Sequence, residues 1–175
     1  MAHGPLVNIP AEQGFSYKPL DMQQLGTFQS KFKSLKIVFI DEISMVGRKM
    51  FNFINLRLQE IMGCLKPFGG ISIIAFGDLY QLKPVMDQWI FKSNINSENQ
   101  EILAPNLWVD LFCFFELEEI MRQKDDILFA QILNRLREGQ HSAEDIEILR
   151  KRVVQETDQT KNMPHLFPTR AEVYR

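Results

Sequence analysis

Apolar residues along this chain follow two patterns, short continuous runs and positions spaced as in a helix. The runs 35–40 and 71–76 are apolar and rich in β-branched residues, which is typical of strands buried on both faces of a sheet. We predict a further strand at 112–117 and the start of another at 165–168. Residues 1–34, which contain three prolines, are predicted to be irregular.

Helical spacing of apolar residues predicts three longer helices. The first carries apolar residues at 50, 54, 58 and 61 and ends at Gly63. The second carries them at 128, 132 and 136 and ends at Gly139. The third follows Ser142, which forms a capping pair with Asp145, and carries apolar residues at 146, 149 and 153. A short helix is expected near Pro105. Strands alternating with helices predict an α/β domain with a mostly parallel sheet.

Composition narrows the class of protein. The chain has 175 residues, 45% of them apolar and 24% charged, as in a folded domain with a hydrophobic core. Its apolar runs are far shorter than a membrane span, and we expect neither membrane insertion nor a secretory signal. A net charge of −2 gives no overall basic footprint for nucleic acid, although a local groove remains compatible with it. Cys64 and Cys113 are interpreted as reduced core thiols, and the histidines show no zinc-site spacing.

Acidic residues follow two of the predicted strands. Asp41 and Glu42 come directly after 35–40, and Asp78 comes two residues after 71–76. Ligands of parallel sheets bind at the carboxyl ends of the strands. Asp41 could hold Mg²⁺ through its water shell, and Glu42 could accept a proton from an attacking water. Acids also follow strands simply because turns are solvated, so this feature alone leaves both interpretations open.

Two later polar residues fit the same chemistry. The amide of Gln81 could hydrogen-bond an attacking water or a phosphate, and Arg122 could neutralise charge on a phosphoryl group. Taken singly, a solvated loop glutamine and a surface arginine are the ordinary interpretations. A two-metal nuclease built on Asp41, Glu42 and Asp78 is an alternative that leaves Gln81 and Arg122 without roles. The aromatics 112, 114 and 115 could stack on bases, but we interpret them as core.

Six sequence strings, in this order, resemble the PIF-type, RecD-like DNA helicases of superfamily one, including copies carried by Helitron-type transposons. They are IDEISMV (40–46), PFGG (67–70), GDLYQLKPV (77–85), ELEEIMRQ (116–123), FAQILNRLREG (129–139) and HLFPTRAEV (165–173). The resemblance implies a RecA-like P-loop NTPase motor domain with ATP as substrate and Mg²⁺ as cofactor. It also implies an ATP-dependent DNA helicase, a hydrolase acting on ATP, that unwinds DNA five-prime to three-prime in repair, recombination and genome or telomere maintenance.

The resemblance also assigns roles to single residues. Asp41 and Glu42 match the Walker B acids, for magnesium and for water activation. Gln81 matches the glutamine that senses the terminal phosphate, and Arg122 matches the arginine that contacts this phosphate. We therefore expect these four side chains to converge on one magnesium-bound triphosphate. His3 matches the end of a segment that touches single-stranded DNA.

Within the printed sequence, the P-loop pattern G-x-x-x-x-G-K-[ST] does not occur. That loop supplies the amides and the lysine that cradle the phosphates. We expect an incomplete motor domain, without the P-loop strand and the second motor domain, that alone binds ATP weakly and barely turns it over. The expected organisation is an irregular segment at 1–34 that resembles the end of a DNA-contacting motif, a RecA-like ATPase core fragment at 35–155, and a linker with the start of a strand at 156–175. The alternative is a catalytically dead remnant that binds DNA or a protein. Duplex and single-stranded DNA are the expected partners, and nuclear or mitochondrial residence would follow from the family.

Overall fold

The structure, a computed structural model, describes residues 17–92, 106–153 and 163–173. His3 and Pro105 therefore lie outside the described residues. The chain divides into two compact units, Met1–Glu119 and Ile120–Arg175. This boundary falls inside the segment 35–155, for which the sequence predicts a single core. The two units are described separately below.

The helices and strands differ in part from those predicted. In the first unit they are α1 Met22–Phe32, β1 Ile37–Ile40, α2 Arg48–Met62, β2 Ser72–Ala75 and α3 Leu107–Leu111; in the second they are α4 Ile127–Arg137, α5 Ala143–Arg150 and α6 Arg170–Val173. Two 3-10 turns, Ile43–Met45 and Pro67–Gly70, follow β1 and precede β2. None of the helices in the described ranges has both the length and the apolar character needed to cross a bilayer.

The predicted parallel pairing of the first two strands is confirmed. β1 and β2 run parallel, with Ile37 opposite Ser72 and Ile40 opposite Ala75. The prediction that β1 is buried on both faces is wrong for the described part of the chain. Val38 is buried, but Phe39 on the other face is 65% exposed. The described residues form only a two-stranded sheet, so one face of the pair is largely uncovered.

Helix α2 carries the core of the first unit. Its buried Phe51 and Leu58 pack in one cluster with Val38, Phe68 and other apolar residues. Positions 58 and 61 are buried as the spacing predicts, whereas Met50 is exposed and the neighbouring Phe51 faces the core instead. The side chain of buried Asn55 accepts a hydrogen bond from the backbone of Phe68 at 2.7 Å. This bond fixes the 3-10 turn before β2 against the helix.

Helix α2 ends as predicted. Gly63 has a φ of 61°, and its N–H donates to the carbonyls of Gln59 and Glu60. A glycine adopts this left-handed conformation without steric cost, which makes it the usual residue at a helix end.

The prediction of irregular structure for 1–34 is wrong over Met22–Phe32, which is helix α1. Asp21 caps this helix by accepting the N–H of Gln24 at 2.7 Å. Leu25, Phe28 and Phe32 are half-buried at helical spacing. Because polar residues separate these three positions, the helical spacing is hard to recognise in the sequence. Packing of α1 against α2 stabilises the helix.

Two further strand predictions are also wrong. Neither 112–117 nor 165–168 pairs with a strand in the described residues. Phe112 packs on the core cluster, whereas Phe114 and Phe115 are 77% and 86% exposed and are therefore not core. A strand requires a hydrogen-bonding partner, and an apolar run by itself does not supply one.

The second unit confirms two predicted helices. Helix α4 spans Ile127–Arg137 and precedes Gly139, which has a φ of 72°. Ser142 and Asp145 form the predicted capping box at the start of α5, each side chain accepting the other's backbone N–H. Val153, predicted on this helix, lies beyond its end and is exposed.

Candidate functional site

The turns that follow β1 and β2 lie side by side. Beyond the strands, the N–H of Phe76 donates to the carbonyl of Ile40 at 2.8 Å, and the N–H of Ile43 donates to the carbonyl of Phe76 at 2.9 Å. Parallel strands place their carboxyl ends at one edge of the sheet. The acids at 41 and 42 therefore lie beside the turn that starts at Gly77.

Gly77 allows these two turns to approach closely. Its φ is 148°, and a Cβ atom built there would lie 2.8 Å from the backbone nitrogen of Ile43. Any side chain at this position would push the two turns apart. The glycine that opens the string GDLYQLKPV is therefore needed to hold both turns at the same edge.

Asp41 and Glu42 occupy a constrained turn. Both are exposed, and the Oδ1 atom of Asp41 accepts the N–H of Glu42 at 3.0 Å. Glu42 has φ 52° and ψ 52°, a left-handed conformation that is uncommon for a residue with a side chain. Such conformations concentrate at functional sites. The next two residues, Ile43 and Ser44, are buried and hold the turn against the core.

Gln81 closes the turn that follows β2. Its N–H donates to the backbone carbonyl of Asp78 at 3.0 Å, and the N–H of Tyr80 donates to Oδ1 of Asp78 at 3.0 Å. This is an Asx-type turn, and it leaves the side chain of Gln81 exposed. The structure thus gives Asp78 a local role in shaping the turn.

The acids suit a single magnesium ion better than a two-metal centre. Magnesium commonly uses one or two carboxylates and keeps several waters, and the exposed carboxylate of Asp41 at the strand end can supply one of them. In the described ranges, no group of three or more acidic, histidine or cysteine side chains is arranged to hold a metal. Asp41, Glu42 and Asp78 all lie in those ranges, so the nuclease alternative lacks its acidic cluster.

Two of the predicted site residues stay untested. Arg122 is exposed and belongs to the second unit, Ile120–Arg175, so its proximity to Glu42 and Gln81 remains a prediction. His3 lies outside the described residues. The structure therefore brings together the turn with Asp41 and Glu42 and the turn with Gln81, while the role of each side chain stays a prediction.

One polar contact close to this site was not predicted from the sequence. The carboxylate of Asp87 accepts the backbone N–H groups of Lys49 and Met50 in the first turn of α2, at 3.0 and 3.2 Å. Gly47, the residue at the N-cap of α2, has no side chain to make such bonds. A glycine before a helix without a local capping residue is the only sequence feature that could have suggested a distant cap.

Comparison with known proteins agrees with the strings described above. A family model described as PIF1-like helicase matches residues 2–147. The chain is 33% identical over 113 residues to the ATP-dependent DNA helicase PIF1 of Candida albicans, covering 63% of this chain and 12% of that protein. It is 31% identical over 148 residues to the ATP-dependent DNA helicase PIF1 of Emericella nidulans, covering 83% of this chain and 19% of that protein. The chain thus spans less than a fifth of either relative.

Solved structures give the same result for the fold. The crystal structure of Pif1 helicase from Candida albicans superposes with a TM-score of 0.60 at 27% identity, over 78% of this chain and 30% of that chain. A structure of Bacteroides Pif1 bound to ssDNA has a TM-score of 0.63 at 22% identity, over 99% of this chain and 39% of that chain. At that identity the second match concerns the fold alone. The predicted α/β class with parallel, RecA-like strands is confirmed.

Proposed function

Because the chain belongs to the PIF1-like helicase family, we propose that it forms part of an ATP-dependent DNA helicase and carries the magnesium and water-activating side of its nucleotide site. The observation that supports this most directly is the adjacency of the two strand ends, which places Asp41 and Glu42 beside the Gln81 turn. The names of the relatives, ATP-dependent DNA helicases, agree with the proposal.

Each side chain has a defined task in this proposal. Asp41 binds the water shell of a magnesium ion, which neutralises phosphate charge when bound. Glu42 accepts the proton of the water that attacks the terminal phosphate. Gln81 hydrogen-bonds that water or the phosphate without adding charge. Arg122 stabilises the charge that develops on the transferred phosphoryl group.

Binding without turnover is the second candidate function, and one observation favours it. The pattern G-x-x-x-x-G-K-[ST] does not occur in the printed sequence, and its backbone amides and lysine hold the phosphates in related enzymes. We propose that this chain by itself turns over ATP negligibly. A steady-state ATPase assay with single-stranded DNA tests this, and clear turnover that Glu42→Gln abolishes would overturn it.

Metal binding at the strand ends can be tested without catalysis. Mn²⁺, a paramagnetic substitute for Mg²⁺, is titrated into the ¹⁵N-labelled 175-residue chain. We expect amide signals of residues 41–43 and 77–81 to broaden, and excess Mg²⁺ to restore them. Asp41→Asn should abolish the effect. Asp110→Asn, at an exposed acid of helix α3, is the matched control and should leave it unchanged.

The metal proposal fails if these signals do not broaden, or if Asp41→Asn broadens like the wild type.

Five-prime to three-prime unwinding and service in DNA repair, recombination and telomere maintenance are proposed on the family resemblance. Residence in the nucleus or the mitochondrion is proposed on the same ground.

A further inference from the structure

We propose that Asp87 is a positioning residue, which fastens the loop carrying Gln81 to the helix that follows Asp41 and Glu42. The inference rests on the proposed function, because it concerns how the polar residue after β2 is held relative to the acids after β1. It adds a residue that lies outside all six strings of the family resemblance.

The carboxylate of Asp87 caps helix α2 from a distance. Its Oδ2 atom accepts the N–H groups of Lys49 and Met50 at 3.0 and 3.2 Å, and its Oδ1 atom accepts the N–H of Gln88 at 2.7 Å. The first N–H groups of a helix lack partners within the helix, and a negative charge near them is favourable. One side chain thus ties the segment after Gln81 to the start of α2.

Gly47 leaves space for this contact. A Cβ atom at Gly47 would lie 2.3 Å from both Cγ and Oδ2 of Asp87. The φ of Gly47 is −79° and its ψ is 168°, values that any residue adopts. Glycine is therefore required here only for lack of space: the absence of a side chain at residue 47 makes room for the carboxylate of residue 87. The two residues are 40 positions apart in the printed sequence.

Further bonds strengthen the same connection. The N–H of Arg48 donates to the carbonyl of Gln88 at 3.0 Å, and its Nη1 donates to the carbonyl of Lys92 at 3.0 Å. Ile90, between them, is only 1% exposed and belongs to the core cluster. The segment 87–92 is therefore held against the start of α2 and the core cluster of the first unit.

Residues 82–86, between Gln81 and Asp87, are far more exposed than the segment 87–92. Leu82, Val85 and Met86 are each more than three-quarters exposed, and Pro84 is the one buried residue of 82–86. The Gln81 loop is thus held by the Asp78 turn at one end and by Pro84 and Asp87 at the other. Because α2 begins six residues after Glu42, the Asp87 contact sets how far Gln81 lies from the acids.

The test combines a local distance with a measure of folding. Mn²⁺ broadening is recorded at the amides of Gln81 and of residues 42–43 in the full chain, together with hydrogen exchange in α2 and in 79–85. In Asp87→Ala, we expect broadening to be lost at Gln81 and retained at 42–43, with faster exchange in 79–85. Gly47→Ala should give the same loss, because the new methyl group expels the carboxylate.

A conservative variant separates positioning from general stability. Asp87→Asn keeps one oxygen that can accept the N–H groups of Lys49 and Met50, and we expect it to retain most of the broadening at Gln81. If Asp87→Ala unfolds, Gly47→Ala keeps the test decisive, because it displaces the same carboxylate and leaves residue 87 unchanged. Broadening at Gln81 that stays unchanged in Asp87→Ala and Gly47→Ala, with α2 still protected, overturns the inference and leaves the proposed function intact. Absence of broadening at 42–43 in the wild-type chain overturns both.

Discussion

Arg135 binds the carboxylate of Asp145 through two hydrogen bonds, from Nε to Oδ2 at 2.8 Å and from Nη2 to Oδ1 at 2.6 Å. The same carboxylate accepts the N–H of Ser142 at 3.0 Å in the capping box of α5. The side chain of Asp145 is only 4% exposed. The bonds from Arg135, with that from Ser142, hold the pKa of Asp145 well below its usual range. One carboxylate thus joins α4 to the start of α5.

This ion pair predicts a pH dependence of stability. A carboxyl group with a depressed folded pKa stabilises the fold above its unfolded pKa of about 3.9 and loses that contribution as pH falls toward the folded value. We expect Asp145→Asn to lower the thermal midpoint at about pH 7, and the gap to wild type to narrow at about pH 3. Circular dichroism at both pH values measures this.

An exposed ion pair in the same helix provides the matched control. Glu147 and Arg150 are joined at 2.6 Å, but their side chains are 61% and 70% exposed. Exposed pairs contribute little to stability, so Glu147→Gln should leave the midpoint almost unchanged. An equal effect of Glu147→Gln and Asp145→Asn would contradict the prediction, as would a gap that does not change with pH.

At two glycines, we predict that an added methyl group has opposite effects on the free energy of unfolding. Gly69 has a φ of 66°, and a Cβ there would lie 2.6 Å from the carbonyl oxygen of Leu58. A Cβ added at Gly26, inside α1, would meet no atom within 4 Å apart from its chain neighbours and the backbone of its own helix. We expect Gly69→Ala to destabilise the first unit by more than about 1 kcal/mol and Gly26→Ala to stabilise it by about 0.5–1 kcal/mol.

Urea unfolding followed by tryptophan fluorescence distinguishes these outcomes. The chain's two tryptophans, Trp89 and Trp108, both belong to the first unit, so their fluorescence reports on its unfolding. A loss of stability in Gly26→Ala would contradict the helical assignment of α1, which the sequence did not predict.

Features fixed by neighbouring residues could be predicted from the sequence. The apolar spacing of α2 and its stop at Gly63 are local signals, and so is the capping box of Ser142 and Asp145. The parallel pairing of β1 and β2 also followed from two apolar runs. The adjacency of the strand ends follows from this pairing, since side chains need not be known to place the ends of parallel strands.

Features that depend on distant partners could not be predicted. Helix α1 owes its stability to packing on α2, and its polar residues conceal the apolar face. The run 112–117 has the composition of a strand but no partner strand in the described residues. The contact of Asp87 with the first turn of α2 joins residues 38 positions apart, and no local pattern encodes such a match.

Ser44 predicts an unusual gain of stability beside the candidate site. It is 1% exposed, and among the described residues its hydroxyl oxygen has no hydrogen-bond partner. A buried polar group without a partner costs about 1–3 kcal/mol. We expect Ser44→Ala to raise the free energy of unfolding by about 1 kcal/mol, measured by tryptophan fluorescence in urea. A clear loss of stability would show that the hydroxyl is hydrogen-bonded in the folded protein.

From the left-handed backbone conformation of Glu42, we predict that this residue lowers the free energy of unfolding. Its left-handed conformation costs roughly 1–2 kcal/mol for a residue with a side chain, whereas glycine loses about 0.5–1 kcal/mol of backbone entropy on folding. The difference favours Glu42→Gly by up to about 1.5 kcal/mol. Glu42→Gln keeps the strain and should leave the free energy of unfolding close to that of the wild type.

Met86 offers a control for backbone strain away from the acids. It has a φ of 56° and is 84% exposed, so Met86→Gly should also stabilise the first unit. Phe68 shares this conformation but is buried in the core, so Phe68→Gly should destabilise it strongly. If Glu42→Gly stabilises the first unit as Met86→Gly does, the chain carries backbone strain at Glu42 that its fold does not require, as expected for a residue whose carboxylate has a function. If Glu42→Gly destabilises while Met86→Gly stabilises, the Glu42 side chain contributes to folding, and strain at this turn is not a sign of function.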